Sequence, residues 1–192
     1  MARPNARIWS RKNGFSIRLA RPEDLADARR VIVDVLDEAL GGYRPDVHWD
    51  LDKLEETYLE QPRYALFVAT DDTTGTVIGT TAVRPGGPKS PPHPKWVADR
   101  YDPVKTAQLY RVYIRRDERR RGAARELVAA ARAWVSEEGG FDVIYLHTDP
   151  RSPGAERFWR TMPTIVEICD DAELPAIHFE LPMREAPASP AD

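Results

Sequence analysis

Apolar residues at Leu25, Ala28, Ile32, Val35, Leu36 and Ala39 recur at helical spacing and stop at Gly41-Gly42, which predicts one amphipathic helix. Ahead of it, Phe15–Leu19 alternates around Ile17 and Leu19 and predicts a short strand, followed by a turn at Arg21-Pro22-Glu23-Asp24. Residues 43–50 are expected to be a loop, and 51–59 a second helical stretch with Leu51, Leu54 and Tyr58 on one face. Residues 64–70 and 76–84 are rich in β-branched and aromatic side chains and flank Asp71-Asp72-Thr73-Thr74-Gly75, so they predict a hairpin.

Between 85 and 105 six prolines (Pro85, Pro88, Pro91, Pro92, Pro94, Pro103) exclude regular structure over most of the stretch. A loop this long in a compact domain is usually functional or disordered. Residues 109–115 predict a strand with Tyr110, Val112 and Ile114 on one face and Leu109, Arg111 and Tyr113 on the other. A helix is expected from about Arg121 to Glu138, striped by Leu127, Val128, Ala131, Trp134 and Val135 and ended by Gly139-Gly140. Val143–Thr148 reads as a buried strand, 152–162 as a short helix, and 164–168 and 176–181 as two closing strands. Residues 1–14 are expected to be a flexible N-terminus and 185–192 a disordered tail, which leaves one domain over 15–184.

Composition narrows the function classes. The 192 residues are 42% hydrophobic and 31% charged, enough apolar material for a folded core. No apolar run is long enough to cross a bilayer, and the N-terminus has no apolar signal segment, so the expected location is the cytoplasm. A single Cys169 excludes an internal disulfide, and His48, His93, His147 and His178 lack ligand spacing, so no metal site is expected. The net charge of −3 is uneven. Between Arg111 and Arg125 seven arginines face two acids, a local +5 that leaves −8 for the rest.

That cationic segment lies at the junction of the 109–115 strand and the following helix. A helix N-terminus offers unpaired N–H groups and partial positive charge, and Gly122, Ala123 and Ala124 keep side-chain bulk away from the backbone. Two readings are open: a phosphate or pyrophosphate cradle, or solvated arginines leading into an ordinary helix. The order Val112-Tyr113-Ile114, four residues, then Arg119-x-x-Gly122-x-Ala124 resembles the acetyl-CoA signature of GCN5-related N-acetyltransferases (GNAT). The opening Ile17-Arg18-Leu19-Ala20-Arg21-Pro22-Glu23-Asp24 and the element order from about 15 to 183 are similar to that family as well.

The resemblance implies an α/β (α+β) fold with a single central mixed, mostly antiparallel sheet of six to seven strands, flanked by about four helices and splayed at the cofactor site. It implies acetyl-CoA as cofactor, with the pantetheine arm on Val112, Tyr113 and Ile114. The pyrophosphate would lie on the amides of Arg120 to Arg125, beside Arg119, Arg121, Gly122, Ala123 and Ala124, and Ser152 and Phe158 would add further cofactor contacts. Direct transfer of acetyl to a primary amine of a small molecule is the implied activity, by a bacterial-type enzyme, monomeric or homodimeric, with no nucleic-acid or membrane partner. A protein or peptide amine is the alternative acceptor.

Two positions depart from the family pattern. Where many members carry a Glu base this chain has Gln108, and where a Tyr often protonates the thiolate it has Trp159. A non-catalytic acyl-CoA sensor on the same fold is therefore a second reading. Candidate proton carriers are Tyr110 and His147, each also readable as core, with Trp159 as a wall beside pantetheine or core. His48, Trp49, Trp96 and Tyr101 are the candidate acceptor contacts, the last two on a loop readable as a lid or as an insertion. An acidic acceptor side is expected for a cationic amine. Nucleic-acid binding through the arginines is disfavoured, because the interleaved aromatics of single-strand recognition are missing.

Overall fold

The computed structural model describes residues 7–163, 165–171 and 176–183. Its strands are β1 (Ile8–Lys12), β2 (Phe15–Leu19), β3 (Ala65–Asp71), β4 (Val77–Pro85), β5 (Thr106–Ile114), β6 (Val143–Thr148), β7 (Val166–Asp171) and β8 (Ala176–Pro182). The α-helices are α1 (Leu25–Ala39), α2 (Lys95–Asp99), α3 (Ala123–Glu138) and α4 (Ala155–Arg160). Hydrogen-bonded neighbours run β1-β2-β3-β4-β5-β6-β8-β7 in one eight-stranded sheet. It is mixed: β5 and β6 are parallel, and the pairs β1-β2, β2-β3, β3-β4, β6-β8 and β7-β8 are antiparallel. The chain divides into two compact units, one reaching Arg84 and including Leu109–Glu138, the other made of Pro85–Gln108 and the chain from Gly139 onward.

In the first unit β3 is buried on both faces from Ala65 to Thr70, so it reads as a continuous apolar run rather than an alternation. Of the expected stripe of α1, Ala28, Ile32, Val35 and Leu36 are buried and joined by Val31, while Leu25 and Ala39 are half-buried; the stripe of α3 (Leu127, Val128, Ala131, Trp134, Val135) is buried as the spacing predicts. Trp134 meets the Phe67 ring edge-on at 6.4 Å, and Trp9 meets the same ring at 5.9 Å. Gly79 on β4 is required by close approach: a Cβ there would lie 3.1 Å from the Tyr113 carbonyl and 3.3 Å from Leu127.

Several expectations need correction here. Residues 8–12 are not a flexible end but strand β1, paired with β2 through a two-residue turn at Asn13-Gly14, where φ is +53° and +77°. That raises the strand count to eight from the six to seven expected. The stretch 51–59 is not one helix. A 3-10 turn at Trp49–Asp52 and a π-helical turn at Glu55–Leu59 replace it, which lets the Tyr58 hydroxyl donate to buried Asp50 at 2.7 Å. The disordered-tail expectation for 185–192 lies outside the described residues.

In the second unit β6 pairs with β8 from Val143↔Pro182 to Thr148↔Ile177, and β7 pairs with the other edge of β8. The parallel β5-β6 ladder runs from Thr106↔Val143 to Gln108↔Tyr145, while β5 itself continues to Ile114. The Pro-rich stretch contains α2, whose Val97 forms a small core with Tyr101 and Tyr145. It is anchored by packing, because prolines bar a long helix but not one short turn between them.

Candidate active site

The path to the site starts on β5. Arg111 has φ +55°, a left-handed conformation that non-glycine residues seldom adopt within a strand. Here two threonines of β4 hold it: the Thr80 hydroxyl donates to the Arg111 carbonyl at 2.9 Å, and the Thr81 hydroxyl donates to the Tyr110 carbonyl at 3.3 Å. A single left-handed residue breaks the alternation of side chains. Tyr110 and Tyr113, expected on opposite faces, therefore both pack against the cluster containing Leu51, Leu54 and Tyr58.

The Arg111 guanidinium donates to Asp50 at 2.7 Å, with side chains only 10% and 2% exposed. Burial would raise the Asp50 pKa, but hydrogen bonds from Arg111 and Tyr58 and the charges of Arg111 and Arg84 hold it below the ordinary carboxylate range. Above this pair the Arg84 guanidinium stacks on the Tyr110 ring at 3.7 Å and faces the Trp49 ring at 5.4 Å. Burial raises the Tyr110 pKa and the Arg84 charge opposes that rise, so the phenol is protonated at neutral pH. Asp50, Tyr58, Arg84 and Arg111 went unrecognised in the sequence. The signals that pointed to them were weak: a Thr80-Thr81 pair, and an arginine at the end of a strand.

Beyond β5 the chain passes a 3-10 turn at Arg116–Glu118 and enters α3 through Arg119-Arg120-Arg121-Gly122. Arg120 and Gly122 have φ of +69° and +92°, and a Cβ on Gly122 would point into open space. The Arg125 N–H donates to the Gly122 carbonyl at 3.1 Å as the first helical bond, so Arg125 offers its amide to the helix. The amides of Ala123 and Ala124 precede that bond and lie at the positive end of a 16-residue helix. Gly122, the small residues and the helix end together fit a pyrophosphate.

The arginines are less available than their count suggests. Arg119 pairs with Glu38 at 2.5 Å, Arg115 with Asp117 at 2.9 Å, and Arg121 with Glu118 while donating to the Asn13 carbonyl at 2.9 Å. The Arg119 hydrogen bond holds Glu38 below its usual pKa. With Arg111 held by Asp50, four of the seven arginines are matched to acids of this unit, and Arg116 and Arg120 are left exposed.

Other expected site residues have different surroundings. His48 is buried, and its Nδ1 accepts the Arg44 N–H at 2.9 Å while its ring stacks on Tyr43, so it shapes the loop rather than offering a free imidazole. Trp49 is 51% exposed beside Arg84, and Val112 and Tyr113 are half-buried. In the second unit Tyr101 is 7% exposed and its ring meets that of Tyr145 at 4.7 Å with a 54° tilt, which makes it core rather than an acceptor contact, while Trp96 stands exposed on α2. Trp159 is buried on α4 and belongs with the core; Ser152 and Phe158 are half-buried nearby in the chain.

His147 sits on β6 directly opposite His178 of β8, and His93 of the Pro-rich stretch caps both rings at 4.6 and 5.1 Å. The Tyr145 hydroxyl shares a hydrogen bond with His178 Nδ1 at 2.8 Å. Enclosure by surrounding protein, then the charges of His93 and His178, push the His147 pKa down to about 3. Water still reaches the ring, which moderates the shift, but its direction leaves a neutral imidazole at pH 7. Among the described residues no group of three His, Cys, Asp or Glu side chains is arranged to hold a metal ion, and no helix is long and apolar enough to cross a membrane.

The chain is similar in fold to a GNAT acetyltransferase from Staphylococcus aureus, with a TM-score of 0.69 and 13% identity over 88% of this chain and 99% of that one. It is also similar to yncA from Salmonella typhimurium, solved with its cofactor acetyl-CoA, with a TM-score of 0.65 and 12% identity over 93% and 98% of the two chains. The spermidine N-acetyltransferase from Vibrio cholerae, solved with CoA and spermine, gives 0.62 and 15% over 90% and 97%. No curated protein matches the chain in sequence. Residues 31–162, more than half of the chain and the span that contains both the buried pair and the loop before α3, match the Acetyltransferase (GNAT) family, whose cofactor is acetyl-CoA. The chain belongs to the GNAT acetyltransferase family.

Proposed function

We propose that this protein is an acetyl-CoA-dependent N-acetyltransferase acting on the primary amine of a small molecule. The observation that supports it most is Gly122, with φ +92° and open space where a side chain would be, at the N-terminus of α3 in a chain of this family. Acetyl-CoA supplies the activated thioester. The backbone of Val112, Tyr113 and Ile114 lines the pantetheine arm in this reading, and the amides of Arg121 to Ala124, with the exposed Arg120, meet the pyrophosphate. Arg119 and Arg121 shape the loop through Glu38 and Glu118.

Attack by the amine forms an N–C bond and breaks the C–S bond, so one proton leaves nitrogen and one reaches sulfur. Tyr110, protonated at neutral pH, is the proposed donor to the thiolate. A second reading, an acyl-CoA sensor, is favoured by one observation. Gln108 and Trp159, where the family often carries Glu and Tyr, are 3% and 6% exposed and exchange no protons at neutral pH. Following free thiol release from acetyl-CoA over a broad amine panel separates the two. Turnover supports the transferase, whereas tight CoA binding without turnover on any amine favours the sensor.

A further inference from the structure

The cluster behind Tyr110 carries an unbalanced charge. Asp50 is its one carboxylate: one oxygen binds Arg111 at 2.7 Å and the other accepts the Tyr58 hydroxyl at 2.7 Å. Arg84 is a second guanidinium in the same cluster, and its own contacts are the Tyr110 ring and phenol and the Trp49 ring. None of these neutralises it. Among the described residues Arg84 forms no ion pair, and the local sum of Asp50, Arg111 and Arg84 is +1. A half-buried guanidinium held flat by aromatic rings keeps several N–H donors in a fixed fork, a geometry that matches a planar carboxylate. Leaving such a cation unmatched is costly unless a ligand completes it.

We propose that Arg84, framed by Trp49 and Tyr110, binds the carboxylate of the acceptor, so that the acceptor class is a small α-amino-acid-type molecule carrying both a primary amine and a carboxylate. The proposal rests on the transferase reading for the location of the thioester. Tyr110 precedes the stretch assigned to pantetheine by two positions on β5, about 7 Å along the strand. An α-amine lies one carbon from its carboxylate, so an anion seated on Arg84 brings the nitrogen toward that stretch. The expected acidic acceptor surface is thus replaced by a cationic one. An acidic groove does exist elsewhere in this unit, about 630 Å³ and lined by Asp52, Glu55, Glu56 and Glu60 with Arg29 and Lys53. Its Asp52 is already paired with Arg29 at 3.0 Å.

The test uses matched acceptors: α-amino acids, the corresponding amides and the corresponding decarboxylated amines, with the full chain and acetyl-CoA. Wild type is expected to favour the carboxylate-bearing member at least tenfold in kcat/KM. Arg84→Met is expected to raise KM for that member at least tenfold with CoA affinity by calorimetry unchanged, and to lower the rate on the decarboxylated amine severalfold less, that smaller loss coming through the Tyr110 ring it stacks on; Arg84→Lys falls between. Equal or better use of amides, decarboxylated amines or polyamines by wild type overturns the proposal, as does an equal loss on every acceptor in a folded Arg84→Met. A binding arm is independent of turnover: free amino acids titrated against the fluorescence of Trp49, with Trp49→Phe as blank. An Arg84-dependent change without turnover keeps the carboxylate site and removes the transferase reading, and no change in wild type with or without CoA overturns the site.

Discussion

Asp50 and Arg111 are sixty-one positions apart, yet they form a 2.7 Å ion pair with almost no solvent around either side chain. Taking one partner away leaves a buried charge with nothing to answer it, which costs about 3–5 kcal/mol. Asp50→Ala is expected to lower the unfolding free energy from urea titration by that amount, and the double variant Asp50→Leu/Arg111→Met to recover much of it. Because the folded Asp50 pKa lies below its unfolded value, its contribution is present above the ordinary carboxylate range and lost as pH falls through it. Denaturation of Asp50→Asn is expected to be less sensitive to acid over that window. An unchanged acid slope returns Asp50 to a passive role.

Gly122→Glu is expected to abolish CoA binding with the fold intact, since it adds bulk and negative charge where the phosphates would sit. The left-handed φ of +92° adds about 1–3 kcal/mol of strain for any side chain. Gly122→Ala therefore serves as the control, losing stability but only part of the affinity. Calorimetry with CoA decides, and undiminished affinity in Gly122→Glu rejects the phosphate assignment.

Tyr110→Phe is expected to lower turnover more than CoA affinity, because the ring that supports Arg84 is retained and only the phenol is removed. Unaltered kcat with an active acceptor makes Tyr110 a wall.

Thr80→Val and Thr81→Val remove the hydroxyls that hold the Arg111 and Tyr110 carbonyls. Both threonines are fully buried, so each variant is expected to cost about 1–3 kcal/mol. The double variant should weaken CoA binding by relaxing β5 toward regular alternation, which hydrogen exchange at Val112 and Tyr113 would report.

His147 is neutral when folded, and its pKa is depressed below the unfolded value near 6.5. The unfolded chain takes up the proton first, so stability is fully present above about pH 6.5 and declines as the pH is lowered beneath it. His147→Asn is expected to flatten that decline between pH 6.5 and 4 in thermal melts. An identical slope in the variant means that solvent at the ring absorbs the charge.

Much of the fold was legible because its long elements are periodic: the stripe of α3 is buried residue by residue as its spacing predicts, and so is the middle of that of α1. The left-handed turn before α3 was legible too, since Gly122 is a local signal. The Asp50-Arg111-Arg84 cluster was not, because its members come from three distant segments and a bulge at Arg111 reverses the facing that alternation assigns. His48 and Tyr101 misled for a simpler reason. A polar aromatic in a loop looks available until packing and a backbone hydrogen bond use it. The Asn13-Gly14 turn is a short-range hairpin signal, masked because Ile8-Trp9-Ser10 is flanked by cations and barely alternates.

Strand β1 changes how the start of this chain should be handled. A variant trimmed to begin at Phe15 would open the outer backbone groups of β2 to neighbouring molecules and strip the Trp9 ring from Phe67. It would also separate Arg7 from Glu137 and Ser10 from Glu126, unfastening both ends of α3 from the sheet. An unprotected strand edge recruits other chains. The trimmed protein would self-associate, and its aggregation would be mistaken for a property of the enzyme.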